Sequence, residues 1–458
     1  MNIVIIYCCL SIIVWLFVII QIKKKEKDNL HPLIIFLLFY ILNYPIKMIA
    51  TKYGIYLINS NAIGEKTQLL ALFLSDLSTM IIIALFCVKV RVKVNLNERI
   101  WSGSYDFWNA AVFFVTLYAI SGRIVYGIGS VSRMFSMSAM MDYRAYRSVQ
   151  NIGGGATSLF GAIMTISMYA FIYLGVCTTI KKSFCEKVIF FLLIVLMTWY
   201  GCAQTLAKTT LLMTPLALII SYQMCSRRKG KKGISLKWIG VSGVAGLYAV
   251  AVMELTDVMA VRKVTEERSI ALLKSFFNPS FDAPDNLTAI IDRMDNIWIG
   301  QLNFKPFFYN LFLSKIPRAV WPAKSPINGK IMIVKELLPE FYVSNSNYNS
   351  ASPSIVGEAL ASGGMLFVLI LSVVYGILFY NIYRGTKESD NLISNLLYIY
   401  FITNLNNFCR GGSDLLGNLL YYWLLTCLIC LVYKGFNRIR IRLKKRRVLV
   451  LEGNMYSV

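Results

Sequence analysis

Eleven mostly apolar runs, each close to the length of a bilayer crossing, dominate this sequence. Their approximate limits are 2–22, 31–50, 67–88, 107–128, 156–179, 187–203, 206–225, 238–256, 363–383, 391–408 and 414–433. A helix needs about 20 such residues to cross the hydrocarbon core. Backbone polar groups there must bond to one another, which leaves helices or closed barrels, and alternating barrel strands give no long unbroken apolar runs. The expected fold class is therefore an all-α polytopic membrane protein with about 11 transmembrane helices. Only 15% of the 458 residues are charged and 57% are hydrophobic, whereas a soluble domain carries about 25% charged residues. A soluble globule, a disordered chain, a collagen and a disulfide scaffold are all excluded.

The formal net charge of +24 would in another chain point to nucleic acid. Here its distribution points to topology, and no nucleic-acid partner is expected. The connections after spans 1, 3, 5, 7, 9 and 11, counted with Lys187 at the edge of span 6, hold 27 of the 47 basic residues but only 8 of the 23 acidic ones. They include Lys23-Lys24-Lys25-Glu26-Lys27, Lys89 to Arg99, Lys181-Lys182, Arg227 to Lys237, Arg384-Gly385-Thr386-Lys387 and Lys434 to Arg447. Every alternate connection is basic, so all six votes give one orientation, with the N-terminus outside and the C-terminus cytoplasmic. The first run has no charged segment before it and no A-x-A site after it, so a retained first helix is expected.

The organisation follows. Residues 1–256 carry transmembrane helices 1–8, with an outer loop at 129–155. Residues 257–362 form one large extracytoplasmic loop, 363–433 carry helices 9–11, and 434–458 are a basic cytoplasmic tail. The large loop holds eight of the eleven prolines and the polar tract Ser344-Asn345-Ser346-Asn347-Tyr348-Asn349-Ser350. It is too long for a mere connector. Apolar patches such as Phe304 to Ile316 read as short amphipathic or interfacial helices on the bundle. The ten cysteines scatter through apolar runs and their ends and read as small apolar residues.

The single histidine, His31, sits at the cytoplasmic start of span 2. An extracytoplasmic site therefore has no histidine base, which excludes a Ser-His-Asp triad and a histidine-based zinc site. The base must be Asp or Glu, or less readily Tyr or Lys. Arginine gathers in the outer segments instead: Arg123, Arg133, Arg144, Arg147, Arg262, Arg268, Arg293, Arg318 and Arg410. Guanidinium groups at a membrane edge either grip phosphate oxygens through paired hydrogen bonds or snorkel and ion-pair. Both readings stand for Arg318 and Arg410, and for Arg144 and Arg147, which share a face if their segment is helical. Tyr143 beside them suits stacking on a sugar ring, and an interfacial aromatic belt gives the same composition. In Ile316-Pro317-Arg318-Ala319-Val320-Trp321-Pro322-Ala323-Lys324 two prolines stiffen the loop around Arg318, with Trp321 and Lys324 following. Glu358 is a lone carboxylate entering an apolar region, where desolvation would favour a base; a helix-start carboxylate is the alternative. Asp414 follows Arg410-Gly411-Gly412-Ser413. Asp282-x-x-Asp285 and Asp292-x-x-Asp295 are either divalent-ion chelates or solvent-facing acids. There is no Walker A motif, Rossmann fingerprint or HExxH, and no cofactor or metal is expected.

These pieces resemble the bacterial O-antigen polymerases, the Wzy-type oligosaccharide repeat-unit polymerases. The resemblance rests on the span count with one large late outer loop, on Ile316-Pro317-Arg318-x-x-Trp321-Pro322-x-Lys324, on Pro353-x-x-x-Gly357-Glu358, on Gly363-Gly364, and on Arg410-Gly411 before the last span. It implies a GT-C-like membrane glycosyltransferase in the inner membrane. That enzyme would polymerise undecaprenyl-diphosphate-linked oligosaccharide repeat units at the periplasmic face, for O-antigen or another surface polysaccharide. It implies membrane lipids, a chain-length regulator and a flippase as partners. The R-x10-G spacing discussed for some members occurs at Arg144–Gly155 and Arg318–Gly329, and again at Arg442–Gly453 in the tail. Under this resemblance Glu358 or Asp414 serves the acceptor hydroxyl, and Arg318, Arg410, Arg144, Arg147, Lys324, Arg123, Arg293, Tyr143 and Trp321 bind diphosphate and sugar. An O-antigen ligase is a neighbouring expectation, although those ligases feature an outer-loop histidine that this chain lacks. A transporter of the same lipid-linked sugar is another, and it predicts broken helices and intramembrane charges, for which Asp76 and Lys208 are the candidates.

Overall fold

A computed structural model of the chain describes residues 2–26, 28, 30–55, 60–92, 107–127, 129–136, 138–140, 142, 155–179, 183–205, 208–228, 282–316, 321, 329–339, 352–388 and 391–455. Among the described residues there is no strand. The main helices in chain order are α1 (Ile3–Glu26), α2 (Pro32–Lys52), α3 (Glu65–Val88), α4 (Phe107–Tyr126), α5 (Gly155–Thr179), α6 (Phe184–Thr205) and α7 (Lys208–Arg228). They continue with α8 (Ala283–Arg293), α9 (Lys305–Leu311), α10 (Gly329–Leu337), α11 (Ser354–Glu388), α12 (Leu392–Thr403), α13 (Leu405–Arg410) and α14 (Gly412–Met455). Eight of these, α1 to α6, α11 and α14, are long and apolar enough to cross a membrane. In its described residues the chain is an all-α protein of membrane-spanning character.

The count of eleven needs qualification. The run 238–256 lies outside the described residues. The run 206–225 is α7, with Pro215 inside it. The run 391–408 is not one helix: α12 stops after 12 residues, Asn404 turns the chain, and α13 follows. At the boundary placed at 362/363, a half-helix that begins at Ser354 meets a break at Gly364. No joint falls at 433, because α14 continues unbroken into the basic segment as far as Met455.

Three interruptions in apolar helices shape the interior. Pro45 lies inside α2 and cannot donate to the ladder, and the helix widens into a π turn over Leu42–Ile46. Asn43 Nδ2 donates to Phe39 O there (2.8 Å) and to Asn406 Oδ1 of α13 (2.8 Å). Tyr44, also in the π turn, donates to Cys409 O (2.9 Å). α2 is thus bonded to the second interruption, α12 to α14. The third is in α11, at Gly364. Around them pack Phe36, Tyr40, Phe379, Phe401 and Phe408, all buried. α11 lies along α3, where Ser78 and Ser372 share a hydrogen bond (2.7 Å). α4 packs chiefly on α5.

α1 is joined to the bundle by a carboxylate. Asp76 of α3 accepts from Tyr7 Oη (2.8 Å), Ser11 Oγ (3.0 Å) and Trp15 Nε1 (2.7 Å) of α1, and from Tyr40 Oη (2.8 Å) of α2. Four donors satisfy an ionised carboxylate without a cation. At the end of the bundle where α1 stops, Lys387 bonds Glu26 (2.9 Å) and Arg227 pairs with Asp28. A disulfide joins Cys177 of α5 to Cys225 of α7, so these two depart from the reading of all ten cysteines as apolar filler.

Candidate functional site

The site is built on the break in α11. Gly364 has φ 71° and ψ −168°, a conformation that only glycine adopts readily, and a Cβ there would lie 2.2 Å from Trp298 O. The break frees backbone groups that an apolar surrounding cannot solvate. The segment 297–304 satisfies them: Leu302 N donates to Ala361 O (3.0 Å), Phe304 N to Ser362 O (2.8 Å), and Met365 N to Ile297 O (2.9 Å). The short half-helix before the break, Ser354 to Gly363, is thereby fixed with Glu358 pointing into the protein at 1% exposure.

Glu358 faces the start of α14. Ser413 N donates to its Oε2 (3.0 Å) and Ser413 Oγ to its Oε1. Asn310 Nδ2 of α9 donates to the same Oε1 (2.8 Å) and to Ser413 Oγ (3.0 Å), while Asn310 Oδ1 accepts from Gly329 N of α10 (2.7 Å). One amide therefore ties four elements together around one carboxylate. An ionised carboxylate offers about four lone-pair sites. Three are taken, which leaves Glu358 one for an alcohol proton.

One residue further along α14, Asp414 is bracketed by Lys330 Nζ of α10 (3.0 Å) and Lys315 Nζ beyond α9 (3.8 Å). Burial pushes the Lys315 ammonium below the ordinary lysine range, while Asp414 pulls it up and Lys330 pushes it further down. At the joint between α13 and α14, Arg410 reaches Asp282 Oδ1 with Nε and Nη2, both at 3.3 Å. The other oxygen of Asp282 accepts from Asn286 Nδ2 (3.0 Å) and Ser352 N (3.1 Å). Asp285, one turn on, meets Lys47 of α2 (3.2 Å) and accepts from Thr51 (3.0 Å) and Ser60 (2.7 Å). Both side chains of that ion pair are fully buried. Burial pushes the Asp285 carboxyl up, and Lys47 opposes it.

No family model, curated protein or solved structure matches this chain.

Of the residues singled out in the sequence, Glu358, Asp414 and Arg410 converge here. Asp282 and Asp285 do not face solvent; they are buried against Arg410 and Lys47 respectively. Arg293 donates to Leu337 O (2.9 Å), joining the ends of α8 and α10. Arg123 is exposed on α4, which belongs to a different part of the bundle, and Trp321 is half-buried. Arg318, Lys324, Arg144, Arg147 and Tyr143 lie outside the described residues, as does the side chain of Lys208. Four site residues escaped the sequence reading: Asn310, Ser413, Lys315 and Lys330. Asn310 is the one polar residue in Phe307-Phe308-Tyr309-Asn310-Leu311-Phe312-Leu313, a signal that was available. Lys315 and Lys330 gave none, because their carboxylate lies 99 and 84 residues away.

Proposed function

We propose that this chain is a glycosyltransferase of the O-antigen polymerase type. It transfers the growing glycan from one undecaprenyl diphosphate to the non-reducing end of another lipid-linked repeat unit. A bacterial inner membrane, a periplasmic site, a periplasmic N-terminus and a cytoplasmic C-terminus belong to this reading, as does a GT-C-like arrangement. The observation that carries it is the buried Glu358 carboxylate at a helix break, with a lone pair to spare and cations close by. In the reaction an acceptor hydroxyl attacks C1 of the donor sugar, and its proton passes to Glu358. The bond from C1 to the diphosphate oxygen breaks, and the diphosphate leaves with the electron pair. The donor is already activated, so the protein needs a proton acceptor and cationic groups for the leaving charge. The large loop, with the arginines and aromatics around Arg318 and Trp321, is assigned to the head group and sugars.

A second reading, a transporter of the same lipid-linked sugar, draws on the three interrupted helices and on Asp76. One experiment separates the two. Purified protein in liposomes is given a defined lipid-diphosphate repeat unit, and product length and glycan sidedness are both read. A polymerase makes a ladder. Glu358→Gln, which keeps the shape and loses the base, should slow it by about 10²–10⁴ while the protein still folds. Glycan that crosses the bilayer with no ladder would replace the polymerase reading with the transporter.

A further inference from the structure

Two lysines, on separate elements of the large loop, turn inward to share one carboxylate, while the nearby arginine is committed elsewhere. We propose that Lys315 and Lys330 receive the phosphate oxygens of an anionic lipid head, exchanging Asp414, their internal counter-ion, for the ligand. This rests on the reading of the site as one for a lipid-linked diphosphate, and it makes Asp414 a competitor for the lysines rather than a base.

Four observations carry it. The first is the placing of charge: two ammonium groups converge on Asp414 at 3.0 and 3.8 Å, with Glu358 as a second carboxylate in their field, and Arg410 is already held by Asp282. The second is the backbone at the α13–α14 joint and along the first turns of α14, which leaves room for both stems. A Cβ at Gly411 would lie 2.4 Å from Lys330 Cε, and one at Gly417 would lie 3.0 Å from Lys315 Cε. The third is an orphan donor. Tyr375 is 1% exposed, and its hydroxyl has no hydrogen-bond partner among the described residues. It points at the first residue of α14, where a Cβ on Gly412 would meet it at 2.4 Å. A buried hydroxyl left unpaired costs about 1–3 kcal/mol, and a phosphate oxygen reaching the lysines would relieve it. The α14 N-terminus adds its own partial positive charge at the same spot.

The fourth observation names the class of ligand. α9 is two-faced. Asn310 and Phe307 are buried, whereas Phe304, Phe308 and Phe312 follow one another along the outer face at 40%, 51% and 54% exposure. Phe308 and Phe312 stack with centroids 6.5 Å apart. An apolar stripe beside a cationic pair fits a phosphate or diphosphate on a long hydrocarbon tail better than a free soluble phosphate.

The test uses the full chain in nanodiscs, with undecaprenyl diphosphate and inorganic pyrophosphate as separate probes. Wild type should bind the lipid, and Lys315→Gln and Lys330→Gln should each weaken that binding about tenfold or more. Lys→Arg at either position should restore much of it, which separates lost charge from lost fold. Asp414→Asn should tighten binding, because the internal competitor is gone; a purely structural ion-pair cluster would not do so. Unchanged affinity in both glutamine variants, or weaker binding in Asp414→Asn, overturns the proposal. Pyrophosphate binding as tightly as the lipid overturns the lipid assignment. The outcome is independent of polymerisation: a ladder with lysine-insensitive binding sinks this inference alone, and lysine-dependent binding without a ladder sinks the polymerase reading alone.

Discussion

His31 shows how much one side chain can do at a helix start. Its Nδ1 accepts from Leu33 N (3.3 Å), capping α2 where Pro32 opens the helix. Its ring lies edge-on to Phe86 and Tyr383, and it is 1% exposed. Burial drives the imidazole pKa down to about 4; Asp28 and Glu26 pull it up, and Lys387 and Arg227 push it down. Protonation would also turn the capping acceptor into a donor. The unfolded chain, with a histidine pKa near 6.5, takes the proton first as pH falls. Stability is therefore complete above about pH 6.5 and is lost between there and about pH 4, by up to about 2 kcal/mol at pH 5. Thermal melts in detergent should show that decline from pH 7.5 to pH 5 for wild type. His31→Asn keeps a capping oxygen and should flatten it; equal slopes for the two proteins would refute the assignment. The position of His31 was plain in the sequence, but its capping role was not, because a cap is defined by the geometry of the following turn.

At the scale of elements, α8 is riveted to α2 by an ion pair with no solvent. Lys47 and Asp285 are both fully buried, and Lys47 also donates to Ile55 O (2.6 Å). Desolvating two charges costs several kcal/mol, so such a pair adds little net stability, yet removing one partner strands the other. Lys47→Met or Asp285→Leu alone should cost about 3–5 kcal/mol, and the two together should recover most of it. Melting curves of the three variants decide it: additive losses would show that the two side chains are not coupled. The sequence foretold elements unevenly. Apolar length was enough to find α1 to α6, and Gly363-Gly364 marked the mouth of a span where α11 in fact breaks. The half-helix before Gly364 was hidden because Glu358 and Ser362 interrupt the apolar run. The split of 391–408 was hidden too, because Asn404, Asn406 and Asn407 look like ordinary loop residues until the facing Asn43 and Tyr44 are seen to bond that stretch. Pairings between distant segments carry no periodicity, and the polar half of the site is made of them.

For the whole molecule, sidedness links the charge pattern to the proposed chemistry. α1, α3 and α11 all end on basic residues at the end of the bundle opposite Glu358: Lys23 to Lys25, Lys89, and Lys387. If that end is cytoplasmic, the Glu358 cluster faces the periplasm, where a lipid-linked glycan would be extended. Two exposed thiols report on it. Cys87 closes α3 next to Lys89, and Cys185 opens α6. Cys9 is exposed within α1 and would be replaced by serine to keep the signal clean. A membrane-impermeant maleimide should then label Cys87 and Cys185 in inverted vesicles and leave them untouched in intact cells. Labelling of Cys87 and Cys185 from outside would invert the molecule. It would move the Glu358 cluster to the cytoplasm, and a periplasmic polymerase could not work that way round.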